Sequence, residues 1–172
     1  AERYFFRAIE ANHDGAAYAV EIPAEAPQPV ALGTGIARGR LVGGNLSLIS
    51  ALEGTPYAID AADAILMIED TREAPYRVDR MLRQLHLAGK LAEIKGAVLG
   101  QFTRNYDREE DQMTDDVRFH LEGVLRQYFA TAGIPVLLNF PIGHHPMNVT
   151  LPLGGWVEVD ADNCRLRVVT EQ

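Results

Sequence analysis

Apolar and polar positions change period several times along the chain, and each change marks an expected element. Residues 64–70, AILMIED, are an unbroken apolar run that stops at two carboxylates, the pattern of a strand buried on both faces of a helix-covered, parallel sheet. The next stretch, APYRVDRMLRQLHLAGK (74–90), sets Val78, Met81, Leu82, Leu85 and Ala88 on one helical face. Arg77, Arg80 and Arg83 oppose them, and Gly89 is the terminator. GAVLGQF (96–102) reads as a second buried strand. Thr114 can then cap a helix whose apolar face is Val117, Leu121, Val124, Leu125 and Tyr128; AGIP ends it and VLLNF begins another strand. Strand, helix, strand, helix, strand over residues 64–140 predicts right-handed crossover units with parallel pairing.

The flanks have a different grammar. AERYFFRAIEAN (1–12) predicts a short helix and AAYAVEI (16–22) a weakly alternating strand, before the proline-rich connector PAEAPQP (23–29). GTGIARGRLVGGN (33–45) reads as a strand ending in a glycine pair, and NLSLISALEG (45–54) as a short helix with Asn45 as N-cap and Gly54 as its stop. The tail, NVTLPLGGWVEVDADNCRLRVVT, reads as short strands joined by Gly-Gly and Asp-Asn turns, hence antiparallel.

Composition narrows the classes. The 172 residues are 47% hydrophobic and 23% charged, which fits a globular domain with a sizeable core. A net charge of −8, with the basic residues scattered, lacks the footprint of a nucleic-acid binder. No apolar run reaches the length of a membrane span and no signal-like start is present, so the expectation is a cytoplasmic protein without a membrane partner. One cysteine, Cys164, in the turn DADNCRLR, excludes an internal disulfide framework and reads as an idle surface thiol. The acidic run DREEDQMTDD (107–116) lacks the glycine and spacing of a calcium loop and reads as a solvated segment.

Open sheets of this kind carry their sites beyond the carboxyl ends of the strands. Two strand ends bear reactive groups: Glu69 and Asp70 after AILMI, and His144 and His145 after VLLNFPIG. A carboxylate that accepts the Nδ1 proton of an imidazole, freeing the other ring nitrogen to act on a nucleophile, is two-thirds of a hydrolase triad. The competing structural reading is that Glu69 or Asp70, Asp70 more aptly, caps the following helix while His144 bonds nearby backbone in its turn. His86 and His120 fall in helices and His13 in a loop, where surface roles are expected. Zinc is disfavoured, because adjacent side chains of an extended segment diverge and no HExxH pattern supplies further ligands. The nucleophile is the gap: the only serines are Ser47 and Ser50, both in the short helix, and no GxSxG elbow exists. A serine must come from chain outside these residues, from another subunit, or from Ser47.

GRLVGGNLSLISALEGTPY, ILMIEDTREAPYRVDRMLRQLHLAGKL, GAVLGQFT and GIPVLLNFPIGHHPMNVTLPLG, in that order from about residue 35 to the end, resemble the C-terminal domain of the LD-carboxypeptidases. That serine-peptidase family also contains the microcin-C-immunity peptidases, and EDTREAPYRVDR is more similar to its wall-recycling branch. The resemblance implies an α/β swivelling domain layered sheet, sheet, helix, with a mostly parallel central sheet and a smaller antiparallel one. It implies a Ser-Glu-His hydrolase with Glu69, the first acid of the pair, and His144, the histidine after PIG. Asn45, after Gly43 and Gly44, falls in a family motif near the site, which makes it a candidate substrate-binding residue beside its capping role. Also implied is a preceding domain bearing the serine and oxyanion hole. Residues 1–29 would then be the end of that domain or a linker, and residues 30–172 the C-terminal domain, inactive alone. The implied partners are a murein tetrapeptide losing its terminal D-alanine, the chain's own N-terminal domain, and a second copy in a homodimer; no cofactor or metal is implied. A cell-wall-peptide binding or dimerisation domain without catalysis, and a microcin-type peptidase, remain the alternatives.

Overall fold

The computed structural model describes residues 5–10, 17–103 and 115–171. Its elements are β1 (Tyr18–Ala19), β2 (Val30–Ala31), β3 (Ile36–Asn45), α1 (Leu46–Leu52), β4 (Ile65–Thr71), α2 (Pro75–Leu87), α3 (Lys90–Glu93), β5 (Gly96–Thr103), α4 (Asp115–Phe129), β6 (Val136–Leu138), β7 (Trp156–Asp160) and β8 (Arg165–Val169). The strands join in the order β1-β8-β7-β3-β4-β5-β6-β2. β3 to β6 are mutually parallel, while β7, β8 and β1 extend one side antiparallel and β2 closes the other side antiparallel against β6.

β3 belongs to both parts. Ile36–Arg40 pair with β7, and Leu41–Asn45 pair with β4. The two parts are therefore one continuous ladder folded at β3, and their facing sides enclose a core of Leu41, Ile65, Val98, Leu137, Val157, Val159 and Leu166. The opposite face of the parallel strands, with Leu66, Ile68, Ala97, Leu99, Val136 and Leu138, packs against Leu46 and Ile49 of α1, Val78, Leu82 and Leu85 of α2, and Leu121, Leu125 and Phe129 of α4. The layers run sheet, sheet, helix. Because β3, β4, β5 and β6 follow one another across the sheet, crossovers of one hand must place all their helices on the same face.

Several local expectations change. Ala88 is exposed as the C-cap of α2 and adds nothing to its buried face, since Gly89 at φ 83 turns the chain away. AAYAVEI forms only two paired residues, and residues 148–153 form no strand: their Pro152 lacks a ladder donor, and the segment serves the connection into β7 instead. β2 was not anticipated. Thr114 and His13, the acidic run up to residue 114, and the N-terminal ends of both flanking expectations lie outside the described residues.

Candidate active site

The site is assembled from three strand ends. At the end of β4, Glu69 and Asp70 are both buried, at 5% and 2% exposure. Successive strand residues project to opposite faces, and the two carboxylates find different partners accordingly. Asp70 faces the helix layer: its Oδ2 accepts from Ser47 N (2.9 Å) and Ser47 Oγ (2.8 Å), and its Oδ1 from Thr71 N (2.7 Å). It thus holds the N-terminus of α1, whose backbone N–H groups need acceptors, rather than capping the helix that follows it. The N-cap of α2 is Ala74, with Pro75 opening the first turn.

Glu69 faces the segment that follows β6. Its Oε2 accepts from His144 N (3.2 Å) and lies 2.8 Å from His144 Nδ1. An ionised carboxylate only accepts, so Nδ1 carries the hydrogen in this pair and Nε2 keeps its lone pair whenever the ring is neutral. The imidazole is 54% exposed while the Glu69 side chain is 7% exposed. The acid is enclosed and the base presents its outer edge.

Backbone geometry makes this approach feasible. Gly143 adopts φ 95, and a Cβ there would fall 2.3 Å from Glu69 Oε2; one at Gly100 on β5 would fall 3.0 Å from Glu69 Cβ. The connection is pinned to β5 by Phe140 N to Leu99 O (3.0 Å) and Gln101 N to Ile142 O (3.0 Å). Gln101 adds a side-chain clamp, its Nε2 donating to Asn139 O (2.9 Å) and Asn139 Oδ1 (2.8 Å). The sequence reading passes over Gln101 and Asn139, although Gln101 is the polar residue that interrupts the apolar run of β5. His145 turns its Nδ1 to accept from Met147 N (3.1 Å), which fits a turn-shaping neighbour. It also lines a cavity of about 540 Å³ with Gln101, Phe102, Leu125 and Asn139.

Asn45, at the end of β3, caps α1 by accepting from Leu48 N (3.2 Å). Its Nδ2 donates to Asp70 Oδ1 (3.1 Å) and Glu69 Oε1 (3.4 Å), bridging the two carboxylates. Ser50 Oγ donates to Gln84 Oε1 (2.8 Å). Both serine hydroxyls are therefore directed at side chains other than His144. His86 stacks edge-on against Tyr128 in the helix layer, and Cys164 sits in the β7–β8 turn at φ 50. Among the described residues no group of three or more His, Cys, Asp or Glu side chains could hold a metal, and no helix is long and apolar enough to cross a membrane.

Residues 38–159 match the family described as the LD-carboxypeptidase C-terminal domain. The chain belongs to the LD-carboxypeptidase family. Among its relatives, a probable murein peptide carboxypeptidase of Bacillus subtilis is 41% identical over 120 residues, covering 70% of this chain and 36% of the relative. A putative carboxypeptidase of Synechocystis sp. is 39% identical over 128 residues, covering 74% and 41%. The solved muramoyltetrapeptide carboxypeptidase of Oxalobacter formigenes superposes with a TM-score of 0.70 at 28% identity, over 96% of this chain and 54% of that one. This LD-carboxypeptidase domain thus spans about half the length of that structure and less of the curated relatives.

Proposed function

We propose that this domain supplies the acid and the base of a serine-type LD-carboxypeptidase acting on murein tetrapeptides. The serine and the oxyanion donors come from protein outside these residues. The observation that carries the reading is the 2.8 Å contact between His144 Nδ1 and the buried carboxylate of Glu69. In that arrangement Nε2 takes the proton from the serine hydroxyl as its oxygen attacks the carbonyl preceding the terminal D-alanine. The imidazolium so formed is stabilised by Glu69, then protonates the departing amine of D-alanine. Water, deprotonated by the same nitrogen, attacks the acyl carbon, and as the ester bond to serine breaks the imidazolium returns the proton to the serine oxygen, releasing the peptide as its carboxylate. The exposed outer edge of His144 suits a nucleophile delivered from another domain, and Ser47, engaged with Asp70, is poorly placed to be one. The murein substrate rests on what the relatives are called, and the cytoplasm on where a recycling enzyme would meet such peptides.

The test uses the protein with whatever chain its gene encodes upstream of Ala1, assayed on a murein tetrapeptide. His144→Ala and Glu69→Ala should each lower turnover by about 10⁴-fold or more, as loss of triad members does, and residues 1–172 alone should release no D-alanine. Near-normal turnover by His144→Ala overturns the assignment. If the isolated chain nonetheless binds the tetrapeptide, that outcome favours the non-catalytic binding domain.

A further inference from the structure

We propose that Asp70 is a positioning residue of the site, acting through Asn45 to fix the orientation of the Glu69 carboxylate that holds His144. Its importance to catalysis rests on the triad reading above; its geometry does not.

A carboxylate at a strand end can rotate, and only some orientations leave one oxygen free for the imidazole. Glu69 Oε2 is committed to His144, so the rotation is set by what faces Oε1, and that group is Asn45 Nδ2 at 3.4 Å. The Asn45 amide could itself flip, presenting its oxygen to Glu69 and repelling it. Two contacts prevent this: Leu48 N donates to Oδ1, and Nδ2 donates to Asp70 Oδ1 at 3.1 Å. Asp70 is 2% exposed and immobilised by three further donors, Ser47 N, Ser47 Oγ and Thr71 N. It is an acceptor that cannot move away, and it turns the amide hydrogens of Asn45 toward both acids. Buried groups whose hydrogen-bonding capacity is filled in this way take one arrangement rather than several. The amide also places donor hydrogens between two adjacent carboxylates that would otherwise repel.

In Asp70→Ala both acceptor oxygens are removed, so the Asn45 amide loses its anchor. The readout is the tautomer of the neutral His144 ring, taken from its Nδ1 and Nε2 nitrogen shifts in isotopically labelled residues 1–172, with His144→Ala assigning the signals. The unaltered chain should hold the Nδ1–H form. Asp70→Ala should lower the Nδ1–H to Nε2–H ratio by about tenfold, the size of one lost orienting hydrogen bond. Asn45→Ala should lower it similarly, and the double variant should add nothing further. A folded Asp70→Ala with an unchanged ratio overturns the proposal, as does full additivity in the double variant. If Asp70→Ala does not fold, Asn45→Ala decides alone, and an unchanged ratio there overturns it. The ratio needs no serine or substrate, so these failures are separate from a failure of the triad, which normal turnover by His144→Ala would show.

Discussion

A methyl group at position 143 would meet three atoms of the Glu69 side chain, at 2.3, 2.6 and 2.7 Å, from a backbone held at φ 95. Neither problem is relieved without cost: relaxing φ moves the His144 backbone, and moving Glu69 gives up its contact with His144 Nδ1. Gly143→Ala should therefore cost about 1–3 kcal/mol from the backbone conformation alone, read as a lower urea midpoint. In the active protein it should cut turnover toward the level of His144→Ala, because the imidazole no longer reaches Oε2. An unchanged midpoint would mean the loop has slack that its packing does not show. At this scale the pairing of Glu69 with His144 was legible as a candidate, since charged or basic residues that interrupt apolar runs at strand ends stand out in any sequence. The clamp made by Gln101 was not, because the acceptors it serves include a backbone carbonyl of Asn139 whose position depends on an unusual φ of 64 there.

Between elements, α2 and α4 share a polar contact within an apolar layer. Tyr128 Oη donates to Asp79 Oδ1 at 2.7 Å and to Asp79 O at 3.1 Å. Burial, reinforced by the hydrogen bond to Asp79 and its negative charge, pushes the phenol up to about 12 from its ordinary 10. The folded phenol holds its proton more tightly than the unfolded one, so the stabilisation is complete below pH 10 and is lost as pH rises through about 12. Tyr128→Phe should lower stability by about 1 kcal/mol at neutral pH and show a shallower decline between pH 10 and 12 than the unaltered chain. Urea midpoints across that range check it; equal declines would remove Tyr128 from the account. Helices α1, α2 and α4 were legible because their apolar positions recur at helical spacing and Asn45 and Gly89 mark a start and a stop, whereas the single turn of α3 carries no such period. β2 was not, since two paired residues carry no period, and of the strand expected over AAYAVEI only Tyr18–Ala19 pair as β1; the extent of both is set by the edge of β6 or β8 beside them.

For the whole molecule the question is whether the parallel and antiparallel parts behave as one body. β3 answers it structurally, because its ten residues supply the pairing edge of both, and Leu41 sits at the junction, fully buried between the two sheets. Melting the antiparallel part would strip β3 of β7 and expose the Val157, Val159 and Leu166 face together with Ile65 and Val98 of the parallel strands. Such a half-folded state loses one side of the central sheet, so it should be sparsely populated. The chain carries a convenient probe, since its one tryptophan, Trp156, lies on β7 while the helices lie on the far side of the parallel strands. Thermal unfolding followed by Trp156 fluorescence and by helical circular dichroism should give the same midpoint. Midpoints separated by several degrees would show that the antiparallel part unfolds first. The consequence reaches the site: Asn45 ends the same strand that β7 pairs at its beginning. If the transitions coincide, the bridge between Asp70 and Glu69 shares the stability of the entire sheet; if they separate, it rests on the pairing of Leu41–Asn45 with β4 alone.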